Sequence, residues 1–181
     1  MIYPTQTITL KNGKTAKLRS PLPADADRLM DCMIRCSEET HFLLRYPEEW
    51  KIDTAQEETI LQNLADSPSN LMICCELDGR IVGNCALNSR PGIKTGHKAS
   101  LAISILEEYW GLGIGRQMFD ALIRTAKACG FHLLTLEFIE GNERARALYE
   151  KVGFTVYGVR PKSIRLKDGT LLSEYCMYME I

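Results

Sequence analysis

The sequence has no apolar run approaching the roughly 18 residues of a membrane-spanning helix. Its start, "MIYPTQTITLKNGKTAKLRS", lacks the charged-then-apolar order of a secretory signal peptide. A cytoplasmic protein is the expectation. An excess of one charge is also missing: 22 basic and 23 acidic residues leave a formal net charge of −1. That balance offers no whole-molecule attraction to nucleic acid or to an anionic membrane. No repeat, low-complexity tract or CxxC pair occurs. The seven cysteines are an odd number, and Cys74, Cys75, Cys85 and Cys129 stand in apolar contexts. They read as reduced thiols used as small apolar residues. Cys32 and Cys36 lie one helical turn apart with His41 beyond, but without a second ligand pair no metal site is expected.

What is present suits one compact domain over residues 1–181, with 45% hydrophobic residues to build its core. "TAKLRS" alternates like an opening strand, broken by Pro21 and Pro23. "ADADRLMDCMIRCSEET" carries Leu29, Met33 and Cys36 at helical spacing. "HFLLRYPEEW" reads as an apolar connection or short helix. "DTAQEETILQNLADS" reads as a second helix, capped at Asp53 or Thr54, with Ile60, Leu61 and Leu64 facing inward. The period then shortens. "NLMICCEL" and "RIVGNCALN" are strands around the tight-turn pair Asp78-Gly79. After the loop "SRPGIKTGHK" comes a further strand, "ASLAISILE".

"WGLGIGRQMFDALIRTA" follows. Its amphipathic helix places Ile114, Met118, Leu122 and Ala126 on one stripe, with Phe119 and Ile123 beside it, and ends near Gly130. "HLLTLEFI" is a strand. "NERARALYEKV" is a helix with Asn142 as N-cap and Gly153 just past its end. "FTVYGVR" and "LLSEYCMYMEI" close the chain as strands, with turn chemistry at Asp168-Gly169. Seven strands alternate with helices around one mixed sheet, an α/β or α+β domain.

Three glycines on alternate positions, Gly111, Gly113 and Gly115, are costly inside regular structure. Between a strand and a helix they let a ligand approach the main chain. Free N–H groups and the helix dipole there attract phosphate, and Arg116 can add a charge-assisted bond. A tight turn without ligand is the plainer alternative. The P-loop signature GxxxxGK[ST] is absent, and GxGxxG fails in both registers, at Arg116 and at Met118.

"NERARALYEKVGF" adds Ala145, Leu148, Tyr149 and Val152 on one helical face, with Asn142 about two turns before Tyr149. Together the two stretches, in this order, resemble the GNAT superfamily of N-acetyltransferases. That family carries [QR]xxGx[GA] and then NxxAxxLYxxxGF. The second is matched at Asn142, Ala145, Leu148, Tyr149, Gly153 and Phe154. Trp110 stands where the family has Gln or Arg. The resemblance covers roughly Leu71 to Ile181.

It implies a mostly antiparallel sheet of about seven strands, splayed between the fourth and fifth. Residues of about 99–154 would form the acetyl-CoA core, and helices of about 24–66 the acceptor side. The cofactor would be acetyl-CoA, leaving as CoA. Its diphosphate would rest on the N–H groups of Leu112, Gly113, Ile114, Gly115 and Arg116, next to Trp110 and Gly111. Its pantetheine arm would pair with Ile103, Ser104 and Ile105, and Asn142 would bind CoA or a water. The N–H near Ile105 would serve the developing oxyanion, and Tyr149 would be the general acid toward the sulfur. For the general base, Glu137 ranks ahead of Glu107 and His97. Acceptor contacts would come from the N-terminal helices, the "SRPGIKTGHK" loop and the last hairpin, with Glu38 and Glu39 attracting a cationic amine. The implied reaction is acetyl transfer from acetyl-CoA to a primary amine of a small molecule or peptide, by direct attack in a ternary complex. A homodimer is compatible with it. The alternative is a non-catalytic acyl-CoA-binding or regulatory protein on the same fold.

Overall fold

The computed structural model describes residues 1–181. The first strands, β1 (Gln6–Thr9) and β2 (Thr15–Arg19), form a hairpin. Helices α1 (Ala26–Glu39) and α2 (Thr54–Asp66) follow. Then come β3 (Leu71–Leu77), β4 (Arg80–Ser89) and β5 (Lys98–Ile105). Next are α3 (Ile114–Ala128), β6 (Leu133–Ile139) and α4 (Glu143–Val152). The strands β7 (Thr155–Arg165) and β8 (Leu171–Glu180) end the chain.

The eight strands form one sheet in the order β1-β2-β3-β4-β5-β6-β8-β7. Every neighbouring pair is antiparallel except β5 and β6. The expected count of seven is therefore one short. "QTIT" was missed because it is brief and polar, with only Ile8 buried; its pairing with β2 makes it a strand. The expected splay is present and, with β1 counted, lies between the fifth and sixth strands. They pair only from Lys98↔Leu133 to Ser100↔Thr135. Beyond that point both strands have unpaired edges facing a gap.

Local chemistry explains the boundaries. Asp78 (φ 50°) and Gly79 (φ 79°) are both left-handed, as a two-residue hairpin of this twist requires. Asp53 caps α2 by accepting from the Gln56 N–H, and the Gln56 side chain returns the bond to the Asp53 N–H. The "HFLLRYPEEW" segment is mostly irregular, with a 3₁₀ turn at Pro47–Glu49.

One face of the sheet packs on α3 and α4 through Phe119, Met118, Leu122, Leu134 and Leu136. The other packs on α1 and α2 through Leu29, Cys32, Cys36 and Leu61. Ile60 points to solvent, contrary to the helical-stripe expectation, while its neighbour Leu61 is fully buried. All seven cysteines are free thiols and six are buried.

Candidate active site

The gap between β5 and β6 opens into a cleft of about 800 Å³. The cleft runs from the glycine turn before α3, along β5 and past Tyr149, to a wall made by α1 and the segment after it.

The edge of β5 has a definite polarity. Leu106 N–H donates to Val82 C=O at 3.0 Å, and the β4–β5 register is unbroken from Gly83↔Ile105 to Ser89↔Ala99. Successive residues of a strand direct their backbone groups to opposite sides. Ile103 and Ile105 therefore direct theirs into the gap, and Ser104 directs its own to Asn84 on β4. This corrects the expectation that Ser104 offers backbone to a ligand. Its hydroxyl instead accepts a bond from the Asn84 side chain at 2.9 Å. The Ile105 carbonyl is already occupied, because the Trp110 indole N–H donates to it at 2.7 Å.

The three glycines separate into two roles. Gly111 (φ 78°) and Gly113 (φ 92°) are left-handed, which strains any residue with a β-carbon. Gly113 is the N-cap of α3, no side chain caps that end, and the first turn contains no acidic residue. The first helix N–H groups there have no side-chain partner in the protein. Gly115 is different. Its φ is ordinary, and a β-carbon on it would lie 2.9 Å from Leu148 Cδ2 and 3.5 Å from Ile105 Cδ1. It lets α3 close on α4 and β5, so the expectation that all three glycines serve a phosphate is too simple. Arg116 is also engaged elsewhere. Its Nε donates to both Asp120 oxygens at 3.0 and 3.1 Å, and its Nη1 to the Lys151 carbonyl at 3.1 Å. Leu112 and Ile114 line the cleft.

Tyr149 sits on α4 with its ring packed edge-on against Phe119 at 5.4 Å and tilted against Phe138 at 6.1 Å. Burial pushes its phenol up to about 12, and no protein group hydrogen-bonds the hydroxyl. Asn142 lines the cleft too, but its Oδ1 is used in capping α4, accepting from Ala145 N–H at 3.2 Å.

Glu137 points from β6 into the cleft and is paired with Arg160 at 3.2 Å. Arg160 also pairs with Glu174 on β8, which is nearly buried and lines the cleft. The other base candidates are misplaced. His97 is exposed at the start of β5, the end away from the gap, and Glu107 is outside the cleft. Glu38 is outside it as well, and the Glu39 carboxylate accepts the Glu107 N–H at 2.7 Å. The loop of residues 89–98 does not reach the cleft. Its place is taken by Phe42, Leu43, Leu44, Arg45 and Trp50, which follow α1.

Sequence reasoning missed the cleft residues Arg144, Glu174 and Lys11, and the Arg160 that pairs with Glu174. Arg144, on the first turn of α4, lays its guanidinium 4.8 Å above the Trp110 ring. The i+2 position after the Asn142 cap was its only signal. Glu174 and its partner Arg160 depend on the pairing of β8 with β7. Lys11 arrives from the β1–β2 turn and lies over Gly113.

Comparison with known proteins agrees with this architecture. The fold is shared with an acetyltransferase of the GNAT family from Streptococcus pneumoniae, at 26% identity and a TM-score of 0.87, covering 92% of this chain and 99% of that one. YncA from Salmonella typhimurium, solved with its cofactor acetyl-CoA, superposes with a TM-score of 0.79 over 91% of this chain and 93% of its own; at 19% identity the likeness is one of fold. In sequence, the L-methionine sulfoximine/L-methionine sulfone acetyltransferase of Pseudomonas aeruginosa is 23% identical over 115 residues, 63% of this chain and 67% of that protein. The model of the acetyltransferase (GNAT) family matches residues 35–154, a stretch that contains the glycine turn, the unpaired edge of β5 and Tyr149. The chain belongs to that family.

Proposed function

We propose that this protein is an acetyl-CoA-dependent N-acetyltransferase that acetylates a primary amine of a small molecule or peptide in a ternary complex. One observation carries the reading. A single cleft joins an uncapped, left-handed glycine turn, an unpaired strand edge and a largely buried tyrosine whose hydroxyl makes no bond within the protein.

The residues fit acetyl-CoA in that order. Gly111 leaves the main chain open where a diphosphate would approach, and Gly113 sets the left-handed turn that presents α3's first N–H groups as donors. Ile103 offers both its N–H and its C=O to an amide-bearing arm, as an added strand would use them. Acetyl-CoA supplies a thioester carbonyl open to attack by an amine. Ile105 N–H, aimed into the gap, is the donor for negative charge developing on that carbonyl oxygen. Tyr149 holds its proton and directs it toward the departing sulfur. Glu137 accepts a proton from the incoming amine, directly or through water, since an alkylammonium of pKa about 10.4 cannot attack. The acceptor enters between Glu137 and Glu174 on one side and the apolar wall of Met33, Phe42, Leu43 and Trp50 on the other. An amino-acid amine, the kind named for the Pseudomonas aeruginosa relative, belongs in the first panel of acceptors to try.

The test is thiol release from acetyl-CoA across amines, amino acids and peptides, with acetyl-CoA binding measured separately by calorimetry. Turnover with any amine supports the enzyme. Tight binding without turnover for any acceptor would turn the reading to a regulatory acyl-CoA binder. The Tyr149 hydroxyl favours the enzyme over that second reading, because it makes no bond within the protein and is free to donate to a group in the cleft.

A further inference from the structure

The glycine turn receives one contact that no local motif encodes. Lys11 stands at the tip of the β1–β2 hairpin. Leu10 N–H donates to the Lys14 carbonyl at 2.8 Å and Gly13 N–H to the Leu10 carbonyl at 3.0 Å, with Gly13 left-handed at φ 83°. Ile8 and Leu10 are buried beneath that turn. The hairpin is tied to the glycine turn by Lys11 N–H, which donates to the Leu112 carbonyl at 3.0 Å.

From that fixed root the Lys11 stem crosses Gly113. Its Cγ and Cε lie 3.7 and 3.9 Å from where a Gly113 β-carbon would stand. A bare α-carbon thus gives the methylene stem its bed, and a lysine stem packs well on such a surface. The ammonium at its end has no ion-pair or hydrogen-bond partner in the protein, whereas Lys14 on the same hairpin is paired with Asp78 at 3.2 Å. Arg116, the cation that the glycine turn carries in its own sequence, is spent on Asp120 and on the Lys151 carbonyl.

We propose that Lys11 is a cofactor-binding residue whose ammonium takes a phosphate oxygen of the coenzyme A nucleotide, in the position that Arg116 leaves open. The inference rests on the acetyl-CoA reading above. Two phosphate sources share this chemistry, the diphosphate at the glycine turn and the 3′-phosphate of the ribose. The Leu112–Lys11 bond makes the hairpin a structural part of the cofactor site, so the N-terminal strands contribute to a site otherwise built from β5 to α4.

Calorimetry with CoA and 3′-dephospho-CoA tests it on wild type, Lys11→Met, Lys11→Arg and Lys14→Met. Methionine keeps the stem over Gly113 and the backbone bond to Leu112, and an unchanged melting temperature confirms the fold. Lys11→Met should weaken CoA about tenfold, the size of one charge-assisted hydrogen bond, and flatten its salt dependence. Lys11→Arg should restore most of the affinity, and Lys14→Met should bind as wild type does. Equal losses for both ligands place the ammonium on the diphosphate; a loss confined to CoA places it on the 3′-phosphate. Unchanged affinity of Lys11→Met for both ligands, with wild type binding normally, overturns the inference alone. A wild-type protein that binds neither ligand overturns the acetyl-CoA reading and this inference with it.

Discussion

Tyr149→Phe removes one oxygen and nothing else from a ring packed on Phe119, Phe138 and Phe154. The hydroxyl has no partner in the protein, so stability should stay level or rise by less than about 1 kcal/mol. The kinetic effect follows from the displaced pKa. Burial sets the phenol at about 12, while an ordinary thiol sits near 8.5. Complete proton transfer from Tyr149 to a thiolate would then run uphill by about 5 kcal/mol, at 1.36 kcal/mol per pKa unit. The residue is better suited to donating a strong hydrogen bond to the departing sulfur than to losing its proton outright. A hydrogen bond to a charged group contributes about 1.5–3 kcal/mol, and each 1.36 kcal/mol is tenfold in rate. Tyr149→Phe should therefore lower kcat by about 10- to 150-fold, with acetyl-CoA affinity nearly unchanged. The assay is thiol release at saturating substrates, from about pH 6 to pH 10. Because the phenol stays protonated below about 12, wild type and variant should run parallel across that range, without a fall in wild type near the ordinary tyrosine value of 10. Equal kcat for the two proteins would make Tyr149 a packing residue. Profiles that converge near pH 10 would show that the phenol ionises too early for this account.

Gly113→Val forces a β-branched residue to φ 92° and puts a side chain against the Lys11 stem, so calorimetry on the folded variant should show acetyl-CoA binding lost. Gly115→Ala instead brings a β-carbon to 2.9 Å from Leu148 Cδ2, the movable end of a half-buried side chain, while alanine gains about 1 kcal/mol of helix propensity, so denaturant titration should show a change under about 1 kcal/mol and affinity should change little. Hydrogen exchange with and without CoA should show new protection at Ile103 and Ile105 but not at Ser104, whose N–H already faces β4; uniform protection of all three would contradict the strand polarity. At Asp25, burial alone would raise the carboxyl, but hydrogen bonds from Arg19, the Leu22 N–H and Arg28 outweigh it and hold it at about 2. A depressed carboxylate stabilises the fold above its unfolded pKa. About 2 kcal/mol should therefore be present above pH 4 and lost as pH falls toward about 2, and Asp25→Asn should remove that part of the acid limb in urea titrations.

The parts of this site that could be read from the sequence are those whose chemistry is local to the chain. The glycine turn is legible because left-handed backbone, an uncapped helix start and an amphipathic stripe all fall between Trp110 and Ala126. Asn142 and Gly153 are legible as caps for the same reason, and the Ala145–Tyr149 face follows from helical spacing alone. What failed depends on strand order. Whether Ile103 or Ser104 faces the gap is decided by the register with β4, and a shift of one residue would exchange them. Gly115 looks like its neighbours until Leu148, on another helix, is brought against it. Glu137 looks like a free base until β8 places Arg160 of β7 beside it. Lys11 has no signal at all near the motif it serves. Arg116 is the instructive exception, because its capture by Asp120 at i+4 was open to view in "RQMFD". A cation beside a phosphate-binding turn has to be weighed against the carboxylates of its own helix first. By that rule Arg116 would have been set aside, and the missing charge sought elsewhere in the fold, where Lys11 stands free on the facing hairpin.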